Sequence, residues 1–177
     1  WMYSSAKAML MEMPEVQLGV IVYSYGKKYE RYEIDGVTYY LVPTAQIDKT
    51  TKKQIEACNE AIWDFAPDLI HIHGTEHSLA KAVCMANEDR VKTVANIQGL
   101  AGPYMRYADG RLSLWDKWMN ITPLDFYRGT FLLNAKRSFK HRAECEHYVL
   151  THITDIVGRT GWDHDHVMTV NPRLRYH

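Results

Sequence analysis

Pro67-Asp68-Leu69-Ile70-His71-Ile72-His73-Gly74-Thr75-Glu76 is the stretch on which the reading of this chain turns. A helix-breaking proline is followed by five residues of strand character, then by a glycine. That pattern reads as a short buried strand running straight into a turn. Upstream, residues 51–65 place Ile55, Cys58, Ile62 and Phe65 at spacings of three, four and three, one apolar stripe on a helix. Lys52, Lys53, Glu56 and Glu60 are left for the outer face, and Pro67 closes the element. Downstream, Thr75 is placed to cap a helix from about residue 76 to 87. Helix, strand and helix in this order are the repeating unit of a parallel sheet.

The same alternation extends outward. Residues 4–13 suit a helix that Pro14 ends, and 16–23 (VQLGVIVY) read as a strand buried on both faces. Asp35-Gly36 lies between strand runs at 32–34 and 37–42, a hairpin signal, and Pro43 stops the second strand. Residues 92–97 (KTVANI) are a further strand, 98–112 a long loop with Gly and Pro, and 129–150 a long helix with Leu132, Ala135, Phe139 and Ala143 on one face. Residues 153–158 predict a last strand and 162–170 a last helix. The expected fold is α/β: a doubly wound, mainly parallel, Rossmann-like sheet with helices on both faces, in one domain over residues 1–177.

The 177 residues contain 21 Lys plus Arg and 21 Asp plus Glu, so the formal charge is zero and no global footprint for nucleic acid exists. Hydrophobic residues make up 46%, which excludes a disordered tail, and the length is enough to bury roughly 70% of the unfolded surface. Cys58, Cys84 and Cys145 are widely spaced with no CxxC, as expected of buried, reduced thiols in a cytoplasmic protein. No apolar run approaches the roughly 20 residues of a membrane span. The sequence opens on Trp1 and closes on Tyr176-His177, and both ends read as cut.

In open parallel sheets ligands gather beyond the carboxyl ends of the strands. Three such ends carry unusual residues: His71 to His77, Asn96 to Gly102, and Gly158 to Asp163. Free backbone N–H groups there suit hydroxyls or phosphates. His71 and His73 share a sheet face, where each imidazole either fixes a ligand oxygen or packs as a satisfied core residue. Arg159 either reaches a phosphate or forms an ion pair with Asp163 or Asp165. Asp163 is expected to support a helix N-terminus, and Trp162 to lie in the core. Glu144 and Glu146 are expected to be solvated. Residues 112–131 interleave Trp115, Trp118, Met119, Phe126, Tyr127 and Phe131 with Lys117 and Arg128. Such a segment packs its own aromatics, stacks sugars or meets anionic lipid. GxSxG, P-loop and GxGxxG patterns are absent.

Taken together, the strand His71-Ile72-His73-Gly74-Thr75-Glu76, the segment Asn96-Ile97-Gln98-Gly99-Leu100, and Arg159-Thr160-Gly161-Trp162-Asp163 before Asn171-Pro172 resemble the N-terminal domain of glycosyltransferase family 4 enzymes of the two-Rossmann-domain type. The resemblance spans essentially the whole chain. It implies transfer of a sugar from a nucleotide-sugar donor to an acceptor glycan or lipid-linked hydroxyl, with retention and with neither metal nor cofactor. His73 would be the catalytic contact to the transferred sugar or its phosphate, with Gly74 and Thr75 leaving it space. Gln98, Gly99 and Gly102 would line the acceptor side, and Arg159 with Thr160 the cleft near the hinge. A first strand with its Gly-rich loop would precede Trp1, and Gln98 stands where many relatives have His. A C-terminal donor-binding domain would be the main partner, so this chain alone is expected to be inactive. Composition and the aromatic and basic residues of 112–131, read apart from the resemblance, set the expected location as cytoplasmic with peripheral contact at the inner face of the membrane. Two other classes fit the same residues: a metal-dependent hydrolase built on His71 and His73, and a non-catalytic carbohydrate- or nucleotide-binding module.

Overall fold

The computed structural model describes all residues except 1, 27, 45–48, 108–109, 111 and 129–131, together with all side chains except those of 2–3, 126, 128 and 132–136. The expected contributions of Trp1, Gly129 and Phe131, and of the side chains of Phe126, Arg128, Leu132 and Ala135, lie outside the described residues. Helix α1 (Met2–Glu12) leads into strand β1 (Leu18–Ser24), and β2 (Glu30–Ile34) and β3 (Val37–Pro43) form the hairpin. Its turn holds Asp35 at φ 51° and Gly36 at φ 77°. Positive φ at both central positions matches the right-handed twist of the strands, which is why an Asp-Gly pair marks the turn. β3 pairs in parallel with β1, so the first sheet has the order β1-β3-β2.

Helix α2 (Lys52–Phe65) starts on a capping box in which Thr51 accepts from the Gln54 amide and Gln54 reaches back to Thr51. It ends at Ala66 in the left-handed region, just before Pro67. Strand β4 (Leu69–His73), helix α3 (Ser78–Asn87) and strand β5 (Lys92–Asn96) follow. After the short helices α4 (Ala101–Tyr107), α5 (Leu114–Met119) and α6 (Pro123–Arg128) comes the long α7 (Leu132–His152). Strand β6 (Asp155–Val157), helix α8 (Gly161–Val170) and a two-residue strand β7 (Arg175–Tyr176) complete the chain. Strands β4-β5-β6-β7 form an all-parallel sheet. The fold is α/β and Rossmann-like, with the parallel sheet flanked by helices.

Three local expectations are corrected. Helix α3 begins at Ser78, not Glu76, and Thr75 does not cap it. The Tyr23 hydroxyl on β1 takes that role, accepting from the Leu79 amide at 2.7 Å and sharing a 2.7 Å hydrogen bond with the Ser78 hydroxyl. The loop at 98–112 contains α4. Strand β1 is half-buried along its whole length, not buried on both faces.

The core explains that last point. Ala57, Cys58 and Ile62 of α2, Ala80 and Val83 of α3, Val149 and Leu150 of α7 and Val167 of α8 form one apolar cluster with Ile72, Ala95 and Ile156 of the parallel sheet. By register, Ile70, Ile72, Thr93, Ala95 and Ile156 share the face under these helices. Leu69, His71, His73, Val94, Asn96 and Val157 share the opposite face, and each keeps partial or full solvent exposure. The two sheets lie alongside one another. Gly19 at the start of β1 sits against the ring of Phe65, which precedes β4, and Tyr23 at its end reaches Ser78 beyond β4. A Cβ on Gly19 would fall 2.9 Å from that ring. Among the described residues β1 pairs only with β3 and β4 only with β5, so each keeps one unpaired edge.

Candidate functional site

The register His73↔Asn96↔Val157 sets the three unusual strand ends side by side along one edge of the parallel sheet. Each strand continues its ladder by one bond past its last residue. The Gly74 amide donates to the Asn96 carbonyl (3.1 Å), that of Ile97 to Val157 (2.9 Å), and that of Gly158 to His177 (3.1 Å). These three amides, expected to be free, are therefore engaged. The same holds at the helix starts, where Arg159 N–H donates to the Asp163 carboxylate (3.0 Å) and the amides of Ala101 and Gly102 to Glu146.

His73 ends β4 half-buried, its ring 4.2 Å centroid to centroid from that of His71. Desolvation holds the His71 imidazole below the usual histidine range, the nearby His73 ring adds to this, and a side-chain hydrogen bond with Asn96 opposes it. Gly74 takes φ +85°, and a Cβ there would lie 3.0 Å from Glu76 Oε2 and 3.4 Å from Gln98 Cγ. Only glycine suits that turn. Thr75 is fully buried, and its hydroxyl has no hydrogen-bond partner among the described residues. Glu76 is buried too: Oε1 faces Arg142 Nη2 at 3.2 Å and His77 Nε2 at 3.5 Å, while Oε2 has no partner among the described residues.

Gln98 is exposed at the head of β5, and its carbonyl accepts from Arg159 Nη2 at 3.0 Å. This bond joins the second and third strand ends. Among the described residues nothing comes within 4 Å of a Cβ built on Gly99. Thr160 caps α8 by accepting from the Asp163 amide (3.1 Å), and Asp163 is buried beneath the turn as the support the sequence predicted. Trp162, expected in the core, is exposed because α8 turns Asp163 and Val167 inward instead.

Gly102 belongs to a different arrangement. Glu146 is 2% exposed and not solvated as expected. Its Oε2 accepts from the Ala101 amide at 2.6 Å, and its Oε1 from the Gly102 amide at 3.0 Å and lies 3.0 Å from His166 Nε2. A carboxylate across the first amides of α4 satisfies groups that a helix start leaves open. A Cβ at Gly102 would come within 2.9 Å of that carboxylate, so glycine here keeps Glu146 seated. The signal was present in the spacing, because residue 146 continues the stripe of Phe139 and Ala143 and sits with Val149 and Leu150. Arg142, the partner of Glu76, was likewise missed.

His141 lies 3.5 Å from Glu144, and His152 bonds the Tyr148 carbonyl. Among the described residues no group of three or more His, Cys, Asp and Glu side chains is assembled as a metal site. What the edge presents is a set of side chains: the paired imidazoles, the Gln98 amide, the exposed Arg159 guanidinium, and the space over Gly99. Hydrogen-bonding side chains around one guanidinium match a hydroxyl-rich ligand better than a polyphosphate, since the amides of Gly74, Ile97, Gly158 and Arg159 are taken. No protein-family model matches the chain, and no curated protein matches it in sequence.

Proposed function

We propose that this chain is the acceptor-side domain of a retaining, metal-independent glycosyltransferase that resembles family 4. The observation that carries the reading is the alignment of the three strand ends, His73-Gly74, Asn96-Ile97-Gln98-Gly99 and Gly158-Arg159-Thr160, into one edge bearing side-chain hydrogen-bonding groups. Such an edge holds a sugar acceptor by its hydroxyls, with His73 nearest the transferred sugar and Arg159 toward the leaving phosphates of a nucleotide-sugar bound by a second domain. Retaining transfer rests on positioning and on stabilising a departing diphosphate, not on a strong nucleophile. The unpaired edges of β1 and β4 suit the additional strand, placed before Trp1, that the resemblance implies. In this reading Glu146 and Arg142 are positioning residues that hold the site loops.

The test is His73→Ala in the enzyme that contains this domain. Turnover is expected to fall at least about 100-fold while the thermal transition is retained. Full turnover in that variant removes His73 from the proposal. A second reading, a carbohydrate-binding module without catalysis, is favoured by the engaged backbone amides. Saturable glycan binding at His71, Gln98 and Arg159, with no transfer from any nucleotide-sugar by the containing protein, would establish it.

A further inference from the structure

Arg142 and Glu146, one turn apart on α7, both reach back to the strand ends, but the two carboxylates involved are used differently. Glu146 places both oxygens on partners, the Ala101 and Gly102 amides and His166, as a carboxylate that only holds a loop should. Glu76 meets Arg142 Nη2 through Oε1 at 3.2 Å, yet Oε2 has no hydrogen-bond partner among the described residues, on a side chain only 7% exposed. Two further atoms share that condition, one in the adjacent residue and one in the guanidinium that holds Glu76. They are the hydroxyl of Thr75, which is 0% exposed, and Nε of Arg142, both enclosed and without a partner among the described residues. An unpaired buried polar group costs stability, and native chains leave few without an ordered water or a ligand to meet them.

The Gly74 turn provides the approach. A Cβ there would lie 3.0 Å from Glu76 Oε2, 3.4 Å from Gln98 Cγ and 3.4 Å from His77 Cδ2. The unpaired oxygen therefore lies against the open side of the turn, flanked by the exposed Gln98 and the half-buried His77. Glu76 Oε2 only accepts, Arg142 Nε–H only donates, and the Thr75 hydroxyl does either. A phosphate would bring negative charge against the carboxylate, and an ammonium cannot accept from the guanidinium. A hydroxyl group answers both.

We infer that Thr75, Glu76 and Arg142 form a subsite for one hydroxyl group of a saccharide, reached when the Gln98 side chain swings off Gly74. The inference rests on the reading of this edge as one that holds saccharide hydroxyls, and it adds the residues that select among them. A site built to pair a hydroxyl strongly rejects the analogue lacking it. The test is titration of the ¹⁵N-labelled chain with the methyl glycosides of glucose, galactose, mannose and N-acetylglucosamine, and separately with inorganic phosphate and ethylammonium. The expected result is saturable movement of the amide signals of residues 74–77 with at least one glycoside, and none with the two ions at equal concentration. Thr75→Val and Glu76→Gln should each weaken that glycoside at least about tenfold. Thr75→Val also removes a hydroxyl that nothing described in the folded chain meets, so its urea midpoint should stay level or rise. A hydroxyl that serves the fold, or holds a trapped water, would lower it. A lowered midpoint, glycoside binding unchanged in both variants, a response to phosphate in place of the glycosides, or no response to any glycoside overturns the proposal. Binding that survives both variants but is lost in Arg159→Ala removes this subsite alone and leaves the edge a saccharide site. Failure of the transferase reading shows separately, as full turnover in His73→Ala.

Discussion

Replacing Glu146 by alanine tests how the site is held together. In the folded chain its carboxylate, 2% exposed, receives the Ala101 amide at 2.6 Å and the Gly102 amide at 3.0 Å and meets His166 Nε2 at 3.0 Å. Alanine leaves two backbone donors at the start of α4 without an acceptor, one of them fully enclosed. Losing a hydrogen bond to a charged group costs about 1.5–3 kcal/mol. Water reaches the half-buried Gly102 amide and recovers part of its share, so the sum is about 3–5 kcal/mol. Glu146→Gln keeps one acceptor oxygen but turns an NH₂ group toward the other donor, for about 1.5–3 kcal/mol. With a urea slope of about 2 kcal/mol/M for a chain of this size, the alanine variant should unfold about 2 M earlier and the glutamine variant about 1 M earlier. Urea titration followed by circular dichroism reads the global effect, and amide exchange at Ala101 and Gly102 reads the local one. If only α4 opens, exchange accelerates strongly while the midpoint moves less. A midpoint within about 0.3 M of the parent together with unchanged exchange at both amides would refute the capping role of Glu146.

Gly74→Ala should destabilise by about 1–3 kcal/mol, because alanine at φ +85° is strained and its Cβ would press on Glu76 Oε2 at 3.0 Å; an unchanged urea midpoint would show that the turn after β4 does not need the left-handed conformation. Asp155 is held well below the usual carboxylate range by its bonds to Arg175, then His177, then Thr154. A carboxylate with a depressed folded pKa contributes stability that is complete above its unfolded value of about 3.9 and is lost as pH falls below it. The stability difference between the parent and Asp155→Asn should therefore shrink as pH falls below about 4, and a difference that persists undiminished at about pH 2.5 would contradict this.

Local sequence determined much of this protein because the deciding interactions are local. Proline at 67, the stripe Ile55-Cys58-Ile62-Phe65 and the Asp35-Gly36 pair act within a few residues of themselves, and the elements they mark stand where the spacing puts them. Strand alternation also indicated that unusual residues would collect at strand ends, and the parallel register then brings those ends together. Tertiary structure alone decided which groups those ends leave available. Whether an amide is free depends on a carbonyl of the neighbouring strand, and on acceptors far away in sequence such as Glu146 for Ala101, 45 residues apart. It likewise decided that Tyr23 caps α3 in place of Thr75, across 56 residues, and that Trp162 faces outward while Glu146 is buried. A sequence gives the periodicity of a helix, but which stripe is covered, and by what, is set only when another element arrives to cover it.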